Sequence, residues 1–93
     1  MMRVQLQRLR SGLLVHLNRC YPRHMDLPQI HAHENEHGSK RLRRELEYLA
    51  ELGFVKAAKR KRWRITALGR DFLLGLVEAK GVMEPAILGD IGE

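Results

Sequence analysis

Ten cations fall within residues 40–64: Lys40, Arg41, Arg43, Arg44, Lys56, Lys59, Arg60, Lys61, Arg62 and Arg64. Most lie in two clusters, KRLRR at 40–44 and KRKR at 59–62. Ammonium and guanidinium groups at this density suit one kind of chemistry, the replacement of condensed counterions along a phosphate backbone. Only Glu45, Glu47 and Glu51 oppose them, so this stretch carries +7. Residues 1–39 carry +2 and residues 65–93 carry −3, within a chain total of +6. A basic centre between a weakly charged head and an acidic tail implies a localised polyanion site, not a uniformly sticky surface.

Other chemistry is less well supplied. His31, His33 and His37, with Glu34 and Glu36, form a dense patch. His33 and His37 are four apart, which on a continuous helix would turn both imidazoles to one face, as zinc needs. Gly38 interrupts that helix and no third ligand stands out, so the histidines read as solvated or phosphate-facing and no metal is expected. His16 reads as a helix-face residue and His24 as a loop residue. The lone Cys20 excludes an internal disulfide and a cysteine-only metal site, and suits a small buried position. There is no phosphate-cradling glycine loop, no metalloprotease helix and no nucleophile with a base and an orienting group. The acids are read as scattered on solvated faces. No catalysis and no cofactor are expected.

The elements that must position the cations follow from periodicity. Ninety-three residues make one domain, 44% hydrophobic and 30% charged, with an aliphatic core because only five residues are aromatic. Leu6, Leu9, Leu13 and Leu17 predict an amphipathic first helix from about Arg3 to Cys20, ended by Tyr21-Pro22. Asp26 and Gln29 form a capping-box pattern opening a short second helix, with Pro28 tolerable in its first turn. Asn35 to Gly38 is a turn, and Ser39 is expected to cap a third helix, about Lys40 to Leu52. There Leu42, Leu46 and Leu49 fall within about 60° of one another, with Leu52 and more weakly Glu45 flanking them. Lys40, Arg43, Arg44, Glu47 and Glu51 occupy the opposite face, with Arg41 and Tyr48 at its border. Gly53 supplies a left-handed stop.

Phe54 to Ile65 reads as a hairpin. Pairing Val55 with Ile65 and Ala57 with Trp63 keeps the apolar residues on one face. That register centres an odd-length loop on Arg60, without the Gly, Asn or Asp of a tight primed turn; a solvated, mobile tip over Ala58–Arg62 is expected, because its like charges repel until an anion neutralises them. Thr66 is expected to cap a fourth helix from about Ala67 to Lys80, stopped by Gly81. Its Leu68, Phe72, Leu73, Leu76 and Val77 would give an apolar arc near half the circumference. Residues 1–80 would then form the domain and 81–93 a tail, docked or flexible.

The run Leu46-Glu47-Tyr48-Leu49-Ala50-Glu51-Leu52-Gly53-Phe54-Val55, followed by Ile65-Thr66-Ala67-Leu68-Gly69-Arg70, resembles bacterial winged-helix regulators of the PadR, MarR and ArsR kind. The resemblance covers about residues 5–80. It implies a mainly α fold with a small β-hairpin: a winged helix-turn-helix with a three-helix core, a two-stranded wing and a C-terminal helix. The wing is short, and no ligand domain or long coiled-coil helix follows the fourth helix. DNA binding is therefore implied without an implied signal.

The residues lead to the same expectation by themselves. A helix fits the major groove and reaches bases with its N-terminal half. Ser39, Lys40, Arg41, Arg43 and Arg44 are the candidates there, with Arg43 and Arg44 at base edges or phosphates. Glu47, one turn on, is placed to accept from a cytosine amino group. Lys59, Arg60, Lys61 and Arg62 would meet the backbone or the adjacent minor groove and set affinity more than sequence. The plainer reading of Arg43, Arg44 and Glu47 is an ordinary solvated helix face; the neighbouring basic wing weighs against it.

The expected function is sequence-specific or semi-specific binding of double-stranded DNA, as a small transcriptional regulator or a phage- or mobile-element-type factor. The alternatives are a protein-interaction module using the acidic tail, and RNA binding. A homodimer through the first and fourth helices or the tail is expected, because the broad fourth-helix face would otherwise be exposed. No apolar run has the length of a membrane span and the N-terminus lacks an export-type apolar block, so a cytoplasmic location is expected.

Overall fold

The computed structural model describes residues 2–83. Within them the chain is mainly helical, with four helices and a small three-stranded antiparallel sheet. The order is α1 (Met2–Cys20), β1 (Met25–Asp26), α2 (Leu27–His33), α3 (Ser39–Glu51), β2 (Val55–Ala58), β3 (Arg62–Ile65) and α4 (Ala67–Leu73). No described helix is long and apolar enough to cross a membrane.

α1 buries Leu9, Leu13, Leu14 and Leu17 in one core with Ile30 of α2 and Leu42, Leu46 and Leu49 of α3. This is the aliphatic stripe expected from their spacing, widened by Leu14 and without Leu6, which is half-buried at a surface cleft. α2 opens on the capping box: the Asp26 carboxylate accepts from the Gln29 N–H at 2.9 Å, and the Gln29 side chain accepts from the Asp26 N–H at 2.9 Å. A polar brace also joins α1 to the end of α2. His16 Nε2 lies 3.1 Å from Glu34 Oε2, and its ring stacks on His33 with centroids 4.7 Å apart.

The sheet order is β1-β3-β2. β2 and β3 pair in the expected register, Val55 with Ile65 and Ala57 with Trp63. β1, which the periodicity did not reveal, adds Met25 opposite Trp63 and Asp26 opposite Arg62. Two residues are too few to show an alternation, and Asp26 is also the α2 cap, so the strand has no signal of its own. Met25, Val55, Trp63 and Ile65 are buried, while Ala57 is exposed.

α3 and α4 end in the same way. After α3, the Gly53 N–H donates to Ala50 O and the Phe54 N–H to Leu49 O; after α4, the Gly75 N–H donates to Phe72 O and the Leu76 N–H to Asp71 O. This paired pattern is a Schellman stop, which needs a left-handed residue. Gly53 and Gly75 supply it, at φ +84° and +80°. The expected helix to Lys80 is therefore two turns long. Gly75 ends it because a left-handed turn closing two orphan carbonyls competes well with a glycine inside a helix. The broad apolar arc is not formed: Phe72 and Leu73 are buried, whereas Leu74 and Leu76 are 65% and 69% exposed.

The chain then returns along α1, so the fold does not stop at residue 80. Val82 and Met83 are buried. The Met83 N–H donates to Gln7 O at 3.2 Å, and the buried Ser11 hydroxyl donates to Met83 O at 2.6 Å. Residues 84–93, with the rest of the expected tail, lie outside the described residues.

Thr66 is the expected cap of α4 and also ties it to α3. Its hydroxyl accepts from the Gly69 N–H at 3.1 Å and donates to Gly53 O at 2.6 Å. Thr66→Val keeps the shape and loses both bonds, so urea denaturation should show a loss of about 1–2 kcal/mol. An unchanged midpoint would mean that the cap contributes nothing.

Candidate nucleic-acid interface

The basic residues lie on α3 and on the β2–β3 ribbon, which pack against each other through the turn at Gly53. The amphipathic rule places Leu42, Leu46 and Leu49 inward and leaves Lys40, Arg43, Arg44, Glu47 and Glu51 exposed. Arg41 is also exposed, but is set to one side, over a cleft of about 310 Å³ with Gln5, Leu6, Leu9 and His37. Ser39 is exposed as the first helical residue and is not the cap. That position belongs to Gly38, whose extended backbone (φ −71°, ψ 157°) starts the helix with no side-chain cap bond.

The acids of this segment are not all on solvated faces. Glu45 is buried and meets Arg10 of α1, Nε to Oε1, at 2.6 Å. Its spacing beside the leucine stripe already put it near the core, but only the docking of α1 supplies the partner. Glu47 approaches Arg43 at 3.5 Å, with the two side chains 60% and 50% exposed. Among the described residues, ion pairs involve Arg10, His16 and Arg43 alone of the cationic or potentially cationic side chains. Lys40, Arg41, Arg44 and the six cations of the ribbon have no acidic partner there.

The ribbon tip is tighter than expected. Ala58 and Arg62 pair, so only Lys59, Arg60 and Lys61 form the loop. Arg60 and Lys61 take the left-handed conformation, at φ 64° and 53°. A glycine-free tip can thus turn within three residues, at the cost of two strained non-glycine positions. Arg62 belongs to β3, and its Nε donates to Lys59 O at 3.1 Å, so it also holds the turn. All four of these cations are exposed.

Two further candidates were legible in the alternation. Lys56 and Arg64 lie directly opposite each other, one register step from Val55–Ile65. With Val55, Trp63 and Ile65 facing the core, both cations fall on the outer face. Like charges directly opposite are unfavourable in a sheet, which suits a surface that meets an anion.

The histidine patch is not gathered into a ligand set. α2 ends at His33, which stacks on His16, and His37 sits in the following turn. Among the described residues, no group of three His, Cys, Asp or Glu side chains is placed to hold a metal. Cys20 is half-buried and packs against the core edge. No protein-family model, curated protein or solved structure matches this chain.

Proposed function

We propose that this chain is a winged helix-turn-helix module that binds double-stranded DNA, with α3 as the recognition helix and the β2–β3 ribbon as the wing. The observation that carries the reading is the uncompensated outward charge of α3 and the ribbon. One of the three opposing acids, Glu45, is taken into the core by Arg10, and Glu47 rests on Arg43. What remains outside is a cationic helix face joined to a cationic ribbon, the combination that phosphate binding requires. The element order and the β1-β3-β2 sheet also support it, since they set a short helix pair ahead of a two-stranded projection. Such a module suits a small transcriptional regulator or a phage- or mobile-element-type factor, acting as a homodimer through the leucines exposed at and after α4.

The test is fluorescence anisotropy on a mixed-sequence duplex at several salt concentrations. Binding that weakens with a log–log slope of about −4 to −6 is expected for five to six neutralised phosphates. Replacing Lys59, Arg60 and Lys61 with alanine should make the slope shallower by about 2–3. Absence of binding at low salt would sink the reading. A second reading, a protein-interaction module, draws on the exposed side chains of Leu74 and Leu76 as a docking site for another protein and not for a second copy. Charge reversal at Arg43, Arg44 and Arg60 separates the two, because it abolishes only nucleic-acid binding.

A further inference from the structure

We propose that α3 reads G·C base pairs in the major groove, with Arg43 as the guanine-contacting fork and Glu47 as the positioning residue that orients it. The inference rests on the duplex-binding reading above and adds the class of sequence.

The outward residues of α3 beyond Ser39 are Lys40, Arg41, Arg43, Arg44, Glu47 and Glu51. Each base pair offers a different edge in the major groove. Guanine shows two acceptors, N7 and O6, which match an arginine fork or a lysine. Cytosine shows an amino donor, which matches a carboxylate. Adenine shows an acceptor beside a donor and calls for asparagine or glutamine, while the thymine methyl calls for an apolar contact. Neither kind is exposed on this helix. Ala50, the small apolar residue of the last turn, is half-buried against the core. The face therefore holds partners for guanine and cytosine and lacks those for adenine and thymine.

Arg43 and Arg44 are not equivalent. Glu47 Oε2 approaches Arg43 at Nε, 3.5 Å away, one helical turn along the same face. A carboxylate at Nε leaves the two terminal amino groups free to point outward as a fork. Arg44 has no acidic partner among the described residues and suits a phosphate. The Arg43–Glu47 pair is too exposed to contribute much to folding. A carboxylate on a phosphate-facing surface also opposes binding through like-charge repulsion. Glu47 should therefore weaken binding to any duplex while sharpening the choice among duplexes, and these two effects have opposite signs on its removal.

The test selects binders from a duplex pool with a randomised core, then measures anisotropy on the selected duplex and on an all-A·T duplex of equal length. The selected positions should contain guanine, and the wild-type chain should favour that duplex by about 5- to 150-fold, the range of one bidentate contact. Replacing the selected guanine with 7-deazaguanine removes N7 without changing pairing or charge, and should erase most of the preference. Replacing it with inosine removes the minor-groove amino group and one pairing hydrogen bond but keeps N7 and O6, and should leave the preference intact. Arg43→Ala should abolish discrimination, while Arg44→Ala should weaken both duplexes by a similar factor. Glu47→Ala should bind the A·T duplex about two- to threefold more tightly, as a lost surface charge does, yet show a smaller ratio between duplexes.

Selected A·T positions, equal binding to all duplexes, or sensitivity to inosine and not to 7-deazaguanine would overturn the inference and leave duplex binding standing. A Glu47→Ala variant that tightens both duplexes equally would remove its positioning role. Failure to bind any duplex at low salt would instead overturn the reading on which the inference rests.

Discussion

Arg10→Met should lower the stability of the domain by about 3–5 kcal/mol, the cost of leaving a buried charge without its partner. Arg10 lies on α1 and reaches three groups, two on α3 and one in the returning segment. Its Nε meets Glu45 of α3 at 2.6 Å, a terminal nitrogen donates to Gly81 O at 2.9 Å, and its guanidinium lies 3.7 Å from the centre of the Tyr48 ring. The two charged side chains are 15% and 5% exposed, so the pair is largely screened from water. The two partners are not equal in the loss. Without Arg10, the Glu45 carboxylate stays in the core with no cation, and Gly81 O loses its donor. Without the Glu45 charge, Arg10 keeps Gly81, Tyr48 and a path to solvent, so Glu45→Gln should cost only about 1 kcal/mol.

The double change Arg10→Met with Glu45→Leu should recover most of the loss, because an apolar pair of similar volume removes the desolvation cost along with the attraction. Urea denaturation followed by the fluorescence of Trp63, the single tryptophan and a core residue, measures all three. For a domain whose whole stability is of the order of 5–14 kcal/mol, the single arginine change would remove a large share of it. If Arg10→Met unfolds within about 1 kcal/mol of wild type, the pair is not buried in the sense that matters. Glu45 and Tyr48 both belong to α3, so the same network ties the candidate recognition helix to α1 and to the returning segment at Gly81.

Gly69→Ala should destabilise the fold by about 3 kcal/mol, although an alanine inside a helix is ordinarily favourable by about 1 kcal/mol. The glycine lies in α4, pressed against the start of the ribbon. A Cβ there would run into the carbonyl oxygen of Phe54 and come within 2.7 Å of Ile65 Cγ1. Phe54 cannot easily yield. Its carbonyl accepts from the Thr66 N–H at 3.0 Å, and its ring stacks on Phe72 with centroids 5.1 Å apart. Relief by moving α4 would also open the Thr66 cap. Gly12→Ala in α1 is the control. Its Cβ would come within 2.9 Å of Glu34 Oε2, the end of a flexible side chain that yields by giving up its contact with His16. The gain in helix propensity and the loss of that contact should nearly cancel, leaving Gly12→Ala within about 1 kcal/mol of wild type. Matched urea curves for the two variants give the contrast. Equal effects would mean that α4 is not held close to Phe54.

Local signals were sufficient wherever a side chain's role depends on neighbours within a turn or two. The leucine spacing of α1 and α3, the Asp26–Gln29 box, the Gly53 stop, the Thr66 cap and the Val55–Ile65 register all follow from helix and strand periods. The outward placement of Lys40, Arg43, Arg44 and Glu47 does so too, because burying one stripe of an amphipathic helix exposes the other. The tip at Arg60 and the end of α4 are intermediate cases. In each, two local preferences compete: a loop without glycine against a sheet that gains a pair at Ala58–Arg62, and a long apolar arc against a Schellman stop at Gly75.

Contacts between segments far apart in the chain have no local signal. The pairing of β1 with β3 joins Met25 to Trp63, and two residues of strand carry no period to announce it. The burial of Glu45 depends on Arg10, thirty-five positions earlier, and the anchoring of Met83 depends on Ser11, seventy-two positions earlier. A carboxylate beside a leucine stripe is ordinary until a guanidinium from another helix makes its burial affordable. Helix and strand periods settle which faces are apolar and which are cationic; packing between distant segments settles which charges are paired inside and which stay on the surface.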